Sequence, residues 1–91
     1  MAINFIQYPM GYQTLDTAVE VTLQGTESDV FLVDSANFAS FKRGGQYRYH
    51  GGHYKRSPVV LRIPSSGTWT AVVAPGRGGR VNATFRVLAG V

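Results

Sequence analysis

Strict two-residue alternation constrains this chain more than any other feature. Val19, Val21 and Leu23 alternate with Glu20, Thr22 and Gln24. Val81, Ala83, Phe85 and Val87 alternate with Asn82, Thr84 and Arg86, and Val59, Leu61 and Ile63 with Val60 and Arg62. On a strand, successive side chains point to opposite faces, so each segment reads as half-buried β structure. Val30-Phe31-Leu32-Val33 is apolar on both faces, as a central strand would be. Trp69 to Val73 adds another strand, and the apolar segment from Ala2 to Tyr8, which Pro9 ends, adds one more. Met10-Gly11-Tyr12 and Ser65-Ser66-Gly67 read as turns, and Pro75 to Arg80 as a glycine-rich loop between hairpin strands.

One segment has the look of a short helix, which a tight turn could replace. In Ser35 to Gly44, Ser35 would cap the start, and Phe38 and Phe41 would share a face. Lys42 and Arg43 would suit the negative end, and Gly44 would supply a left-handed stop. Six or seven short strands with one helical turn predict an all-β fold, a small antiparallel sandwich or barrel. The 91 residues suffice for one domain, spanning residues 1–91. Val21, Leu32, Leu61, Ile63, Trp69, Val73, Phe85 and Val87 are the expected core.

Composition narrows the chemistry. The chain has no cysteine, hence no disulfide, thiolate metal site or cysteine nucleophile, which favours a reducing cytoplasm. No segment reaches the ~20 apolar residues of a membrane span, and the N-terminus lacks the pattern of a signal peptide. The formal charge is +4, unevenly spread. All five acids (Asp16, Glu20, Glu27, Asp29, Asp34) lie at or before position 34, and every lysine and arginine lies after it. Either the two parts neutralise each other across a sheet, or the later part forms a basic face for an anionic partner.

The most distinctive stretch is Tyr47-Arg48-Tyr49-His50-Gly51-Gly52-His53-Tyr54-Lys55-Arg56, preceded by Lys42 and Arg43. Arginine and lysine pair with phosphate or carboxylate, and tyrosine offers a stacking face and a hydroxyl. Lys42, Arg43, Tyr47, Arg48, Tyr49, His53, Tyr54, Lys55 and Arg56 are therefore the candidate ligand-binding residues. Tyr47 and Tyr49 should point one way along a strand, and Arg48 and His50 the other. One shared site then needs a Gly51-Gly52 turn that folds Lys55 or Arg56 back beside Arg48. The bland alternative is a solvated hairpin whose tyrosines cover the core edge. His50 and His53 lack a third ligand and a nearby carboxylate in sequence, so no metal is expected. Arg77-Gly78-Gly79-Arg80 resembles a single RNA-binding arginine–glycine motif and reads better as a hairpin tip. No phosphate-binding loop, dinucleotide fingerprint, Gly-x-Ser-x-Gly elbow or spaced carboxylate pair occurs. Neither cofactor nor catalysis is expected.

Several runs together resemble a known family. They are Asp16 to Leu23, Val30 to Phe38, Tyr49 to Pro58 and Ile63 to Trp69. The most specific are Gly-Gly-His-Tyr-Lys-Arg-Ser-Pro (51–58) and the Pro-x-x-Gly-x-Trp turn (64–69). They are similar to a bacterial family known as a domain of unknown function, number eighteen eighty-three. The resemblance implies a small β-rich domain that occurs alone or fused to Toll/interleukin-receptor-like domains. It implies no catalytic residue. The chain departs from the family at its N-terminus, where Ile3, Phe5 and Ile6 would either complete a core or form a dimer contact. The reading that follows is a non-catalytic module for an anionic small molecule or a protein partner. Its alternatives are a structural, homo-oligomerising β domain or a weak nucleic-acid binder.

Overall fold

The computed structural model describes residues 5–76 and 78–90, so Ile3 and Arg77 lie outside the described residues. Seven strands and one helix follow in the order β1 (Ile6–Gln13), β2 (Thr17–Gly25), β3 (Ser28–Asp34), α1 (Ser35–Lys42), β4 (His50–Tyr54), β5 (Val59–Arg62), β6 (Gly67–Pro75) and β7 (Val81–Ala89). They form two antiparallel sheets, a four-stranded one ordered β1-β6-β3-β4 and a three-stranded one ordered β5-β2-β7. The described residues thus form a small β-sandwich with one short helix, one of the two folds that the alternation predicts.

The core lies between the sheets. Val19, Val21, Val30, Leu32 and Val73 are completely buried there, with Leu61, Ile63 and Trp69 nearly so. Phe85 is half-buried, its ring stacked on Tyr8 at 4.9 Å. Val87 departs from expectation and is 37% exposed. It lies near the end of an edge strand, where its alternation outruns the cover that the opposite sheet supplies.

A second apolar layer covers the outer face of the larger sheet. Phe31, Val33 and Val72 point away from the sandwich core and pack under Phe41 of α1, with Phe5, Phe38 and Tyr47 against them. Phe5 lies 5.0 Å from Phe41 and 6.1 Å from Phe38, edge to face. Phe5 thus completes the outer core, and Ile6 packs against the inner one.

Local readings are corrected at four places. The helix cap is Asp34, not Ser35; its carboxylate accepts the Asn37 backbone N–H at 2.9 Å, a reach available from the last residue of β3. The predicted stop at Gly44 holds, at φ +77°, with Gly44 N–H donating to Phe41 and Gly45 N–H to Ser40. Pro9 does not end the first strand. It sits inside β1, an edge strand where a missing N–H is tolerated, and Met10-Gly11-Tyr12 continues the strand through an irregularity between Pro9 and Gly11. The glycine-rich loop after Pro75 carries the chain from one sheet to the other, not around a hairpin.

The fourth correction decides the site. Gly51-Gly52 is no turn but part of β4, paired with Phe31 and Val30. Gly51 has φ +155°, and a Cβ there would lie 2.1 Å from the Val30 carbonyl oxygen and 2.6 Å from Phe31 Cα. Glycine is needed because this edge strand crosses tightly onto β3.

Candidate functional site

Because β4 runs straight, the tyrosine-rich stretch is drawn out along the edge of the larger sheet instead of gathered at a tip. Arg48 precedes the strand, whereas Lys55 and Arg56 follow it. The four steps of β4, at about 3.3 Å each, set its two ends about 13 Å apart, so Arg48 and Arg56 flank the strand at opposite ends instead of meeting at a turn. Lys42 and Arg43 belong to the end of α1. Lys42 Nζ lies 4.4 Å from the Phe38 ring centroid, and Arg43 donates to the Ser40 hydroxyl at 3.2 Å. Tyr54 turns inward and packs against the sandwich core.

Tyr47 and Tyr49 do share a side, as expected. Their ring centroids lie 5.8 and 5.5 Å from that of Phe31 and 5.7 Å from each other. They lie over the outer face of β3, in the irregular segment that returns from α1. Burial raises the Tyr47 hydroxyl above the ordinary tyrosine pKa, and Tyr49 and Asp29 nearby add to the shift.

Two concavities flank Tyr49. One, of about 390 Å³, is lined by Asp34, Asn37, Arg48, Tyr49, His50, Pro64, Ser65 and Trp69. It is held by committed hydrogen bonds. Asn37 accepts the Arg48 backbone N–H at 2.7 Å and donates Nδ2–H to Asp34 at 3.0 Å. The Trp69 indole N–H donates to the Ser65 carbonyl at 2.8 Å. Asp34 therefore spends Oδ1 on Asn37, while the Arg48 guanidinium forms no ion pair among the described residues.

The other concavity, of about 200 Å³, is lined by Asp29, Phe31, Tyr47, Tyr49, Gly52 and His53. Here the structure supplies what the sequence hid. His53 faces Asp29 across the β3–β4 ladder, with Nδ1 2.8 Å from Asp29 Oδ1 and Nε2 2.9 Å from Glu27 Oε1. Only the doubly protonated ring donates to both carboxylates. The Glu27 hydrogen bond, then that of Asp29, raises the His53 pKa, and the same contact lowers that of Glu27. The expectation that no carboxylate lies near His53 is thus overturned; the spacing of 24 and 26 residues conceals the cluster until β3 and β4 pair. Both ring nitrogens of His53 are engaged by carboxylates, and no group of three or more His, Cys, Asp or Glu placed to hold a metal ion occurs among the described residues.

The acidic front and basic remainder do meet across strands at several points: Arg86 pairs with Glu20 at 3.0 Å between β7 and β2, and His53 with Glu27 and Asp29. Arg80 is exposed, its carbonyl accepting from the Thr26 backbone and hydroxyl. Among the described residues no helix is long and apolar enough to cross a membrane.

These features define a class: a helix-covered β-sandwich whose edge strand carries two small concavities on either side of one exposed tyrosine. The chain belongs to the family described as Domain of unknown function (DUF1883), which matches residues 3–89. Neither the curated proteins nor the solved structures contain a match to it.

Proposed function

We propose that the protein is a non-catalytic binding module and that the concavity beside Arg48 takes the anionic group of a small molecule. One observation carries this reading: Arg48 and His50 line the same hollow as Tyr49 and Trp69. The Arg48 guanidinium shares the hollow with the Asp34 carboxylate but forms no ion pair with it, so its planar fork of donors is available to phosphate or carboxylate. Tyr49, 58% exposed, offers a stacking surface at its side. Lys55 and Arg56 take no part.

Phenyl phosphate is a suitable probe, since it joins an anion to a ring. Titration followed by amide and indole resonances should move Arg48, Tyr49, His50 and the Trp69 Nε1–H together. Arg48→Ala should weaken binding at least about tenfold, in line with losing a charge-assisted hydrogen bond of about 1.5–3 kcal/mol. Equal binding by phenol, or an unaffected Arg48→Ala variant, would refute it.

Self-association is a second reading, favoured by Val60, which is 52% exposed on edge strand β5. A concentration-independent monomer mass in sedimentation would remove it.

A further inference from the structure

The smaller concavity has the opposite chemistry to its neighbour, although it sits within the most basic stretch of the chain. We propose that the hollow lined by Asp29, Phe31, Tyr47, Tyr49 and His53 is a separate site for an organic ammonium group. Three aromatic rings lie within 5.5–5.8 Å of one another, inclined at 30°, 46° and 60°. The rings are packed at an incline to one another, and all three line the hollow. Phe31, 3% exposed, is its floor, and Tyr49 its open rim. Aromatic faces attract cations through the ring quadrupole, and alkylated ammonium groups suit them best because they shed water cheaply.

The charge of the wall points the same way. Asp29 lines the hollow, and Glu27 stands behind His53. Lys55 and protonated His53 together offset Glu27 and Asp29, but of these charges only Asp29 and His53 line the hollow, and the Asp29 carboxylate is the group there that draws a cation. A bare divalent ion is disfavoured, because it needs more oxygen ligands than the single lining carboxylate provides. The same aromatic layer already holds one cation of the chain itself, Lys42 over Phe38.

The test compares choline with 3,3-dimethyl-1-butanol, its neutral carbon isostere, on the whole protein. Ring resonances of Tyr47 and Tyr49 report binding. Choline should move both beyond the effect of equal sodium chloride, and the isostere should bind at least about tenfold more weakly. Asp29→Asn should weaken choline at least about tenfold, whereas Glu27→Gln, which removes the same charge outside the hollow, should cost less than about threefold. Tyr49→Phe should keep the affinity and Tyr49→Ala lose it; the exposed side chain allows both to fold, which ring and methyl shift dispersion verifies. Arg48→Ala should leave choline binding intact, so this site stands or falls apart from the anion site. Equal binding by the isostere, or tyrosine shifts no larger with choline than with sodium chloride, would overturn the proposal.

Discussion

The two faces of β3 show how one strand serves two purposes. Its inward residues, Val30 and Leu32, are fully buried among aliphatic side chains of both sheets. Its outward residues, Phe31 and Val33, are nearly as buried, but under a different cover: a two-turn helix and a coil rich in tyrosine. β-branched side chains on two facing sheets interlock and leave no room. A short helix and an irregular segment cannot close a sheet face so evenly, and tyrosines keep a polar end in water. The inner face therefore supplies stability and the outer face the smaller hollow, while the larger one opens beside Trp69 at the margin of the inner core.

The largest expected effect is on the inner face. Leu32→Ala should cost about 2–5 kcal/mol in denaturant unfolding, because neighbouring strands cannot collapse into the gap. A loss below about 1 kcal/mol would mean that the inner core is not the stable half. Gly51→Ala comes next. The added methyl meets Val30 and Phe31 backbone atoms, so β4 must move away from β3, at a cost of about 1–3 kcal/mol. Hydrogen exchange should accelerate along β4 and the 45–49 segment but not in β2; acceleration everywhere would show that the edge does not move on its own.

A smaller effect tests how the edge is tied down. The raised pKa of His53 means that its contribution is complete below the ordinary histidine value and fades as pH rises through the raised one. The lowered pKa of Glu27 means that its contribution is present above the ordinary carboxylate value and fades as pH falls through the lowered one. The bridge is strongest between these limits. The melting temperature of the wild type should exceed that of His53→Gln most in that window, by little because the groups are solvated, and the difference should vanish on the alkaline side. A difference independent of pH would contradict an ionic bridge. Smallest of all, Tyr49→Ala should change stability by less than about 0.5 kcal/mol, as its side chain is largely exposed.

The sandwich was legible in the sequence because alternation at Val19-Val21-Leu23 and Val59-Leu61-Ile63 is local, and burial enforces it. The helix from Ser35 was legible from Phe38, Phe41 and Gly44. The site was not, for two physical reasons. Gly51-Gly52 has the composition of a turn, and only the closeness of Phe31, twenty residues earlier, makes glycine a requirement of a strand. The partners of His53 come from β3, so no local spacing reveals them. The cations of the basic stretch divide between the two ends of β4, and a carboxylate stands in its middle.

That division is the central claim, and tyrosine and tryptophan side-chain resonances test it most directly. Phenyl phosphate should shift the Trp69 Nε1–H and Tyr49 ring while leaving Tyr54 and the backbone amides of Lys55 and Arg56 in place. Coordinated shifts of Arg48 and Arg56 at one saturating concentration would contradict the account, by showing that the cations converge on a single ligand.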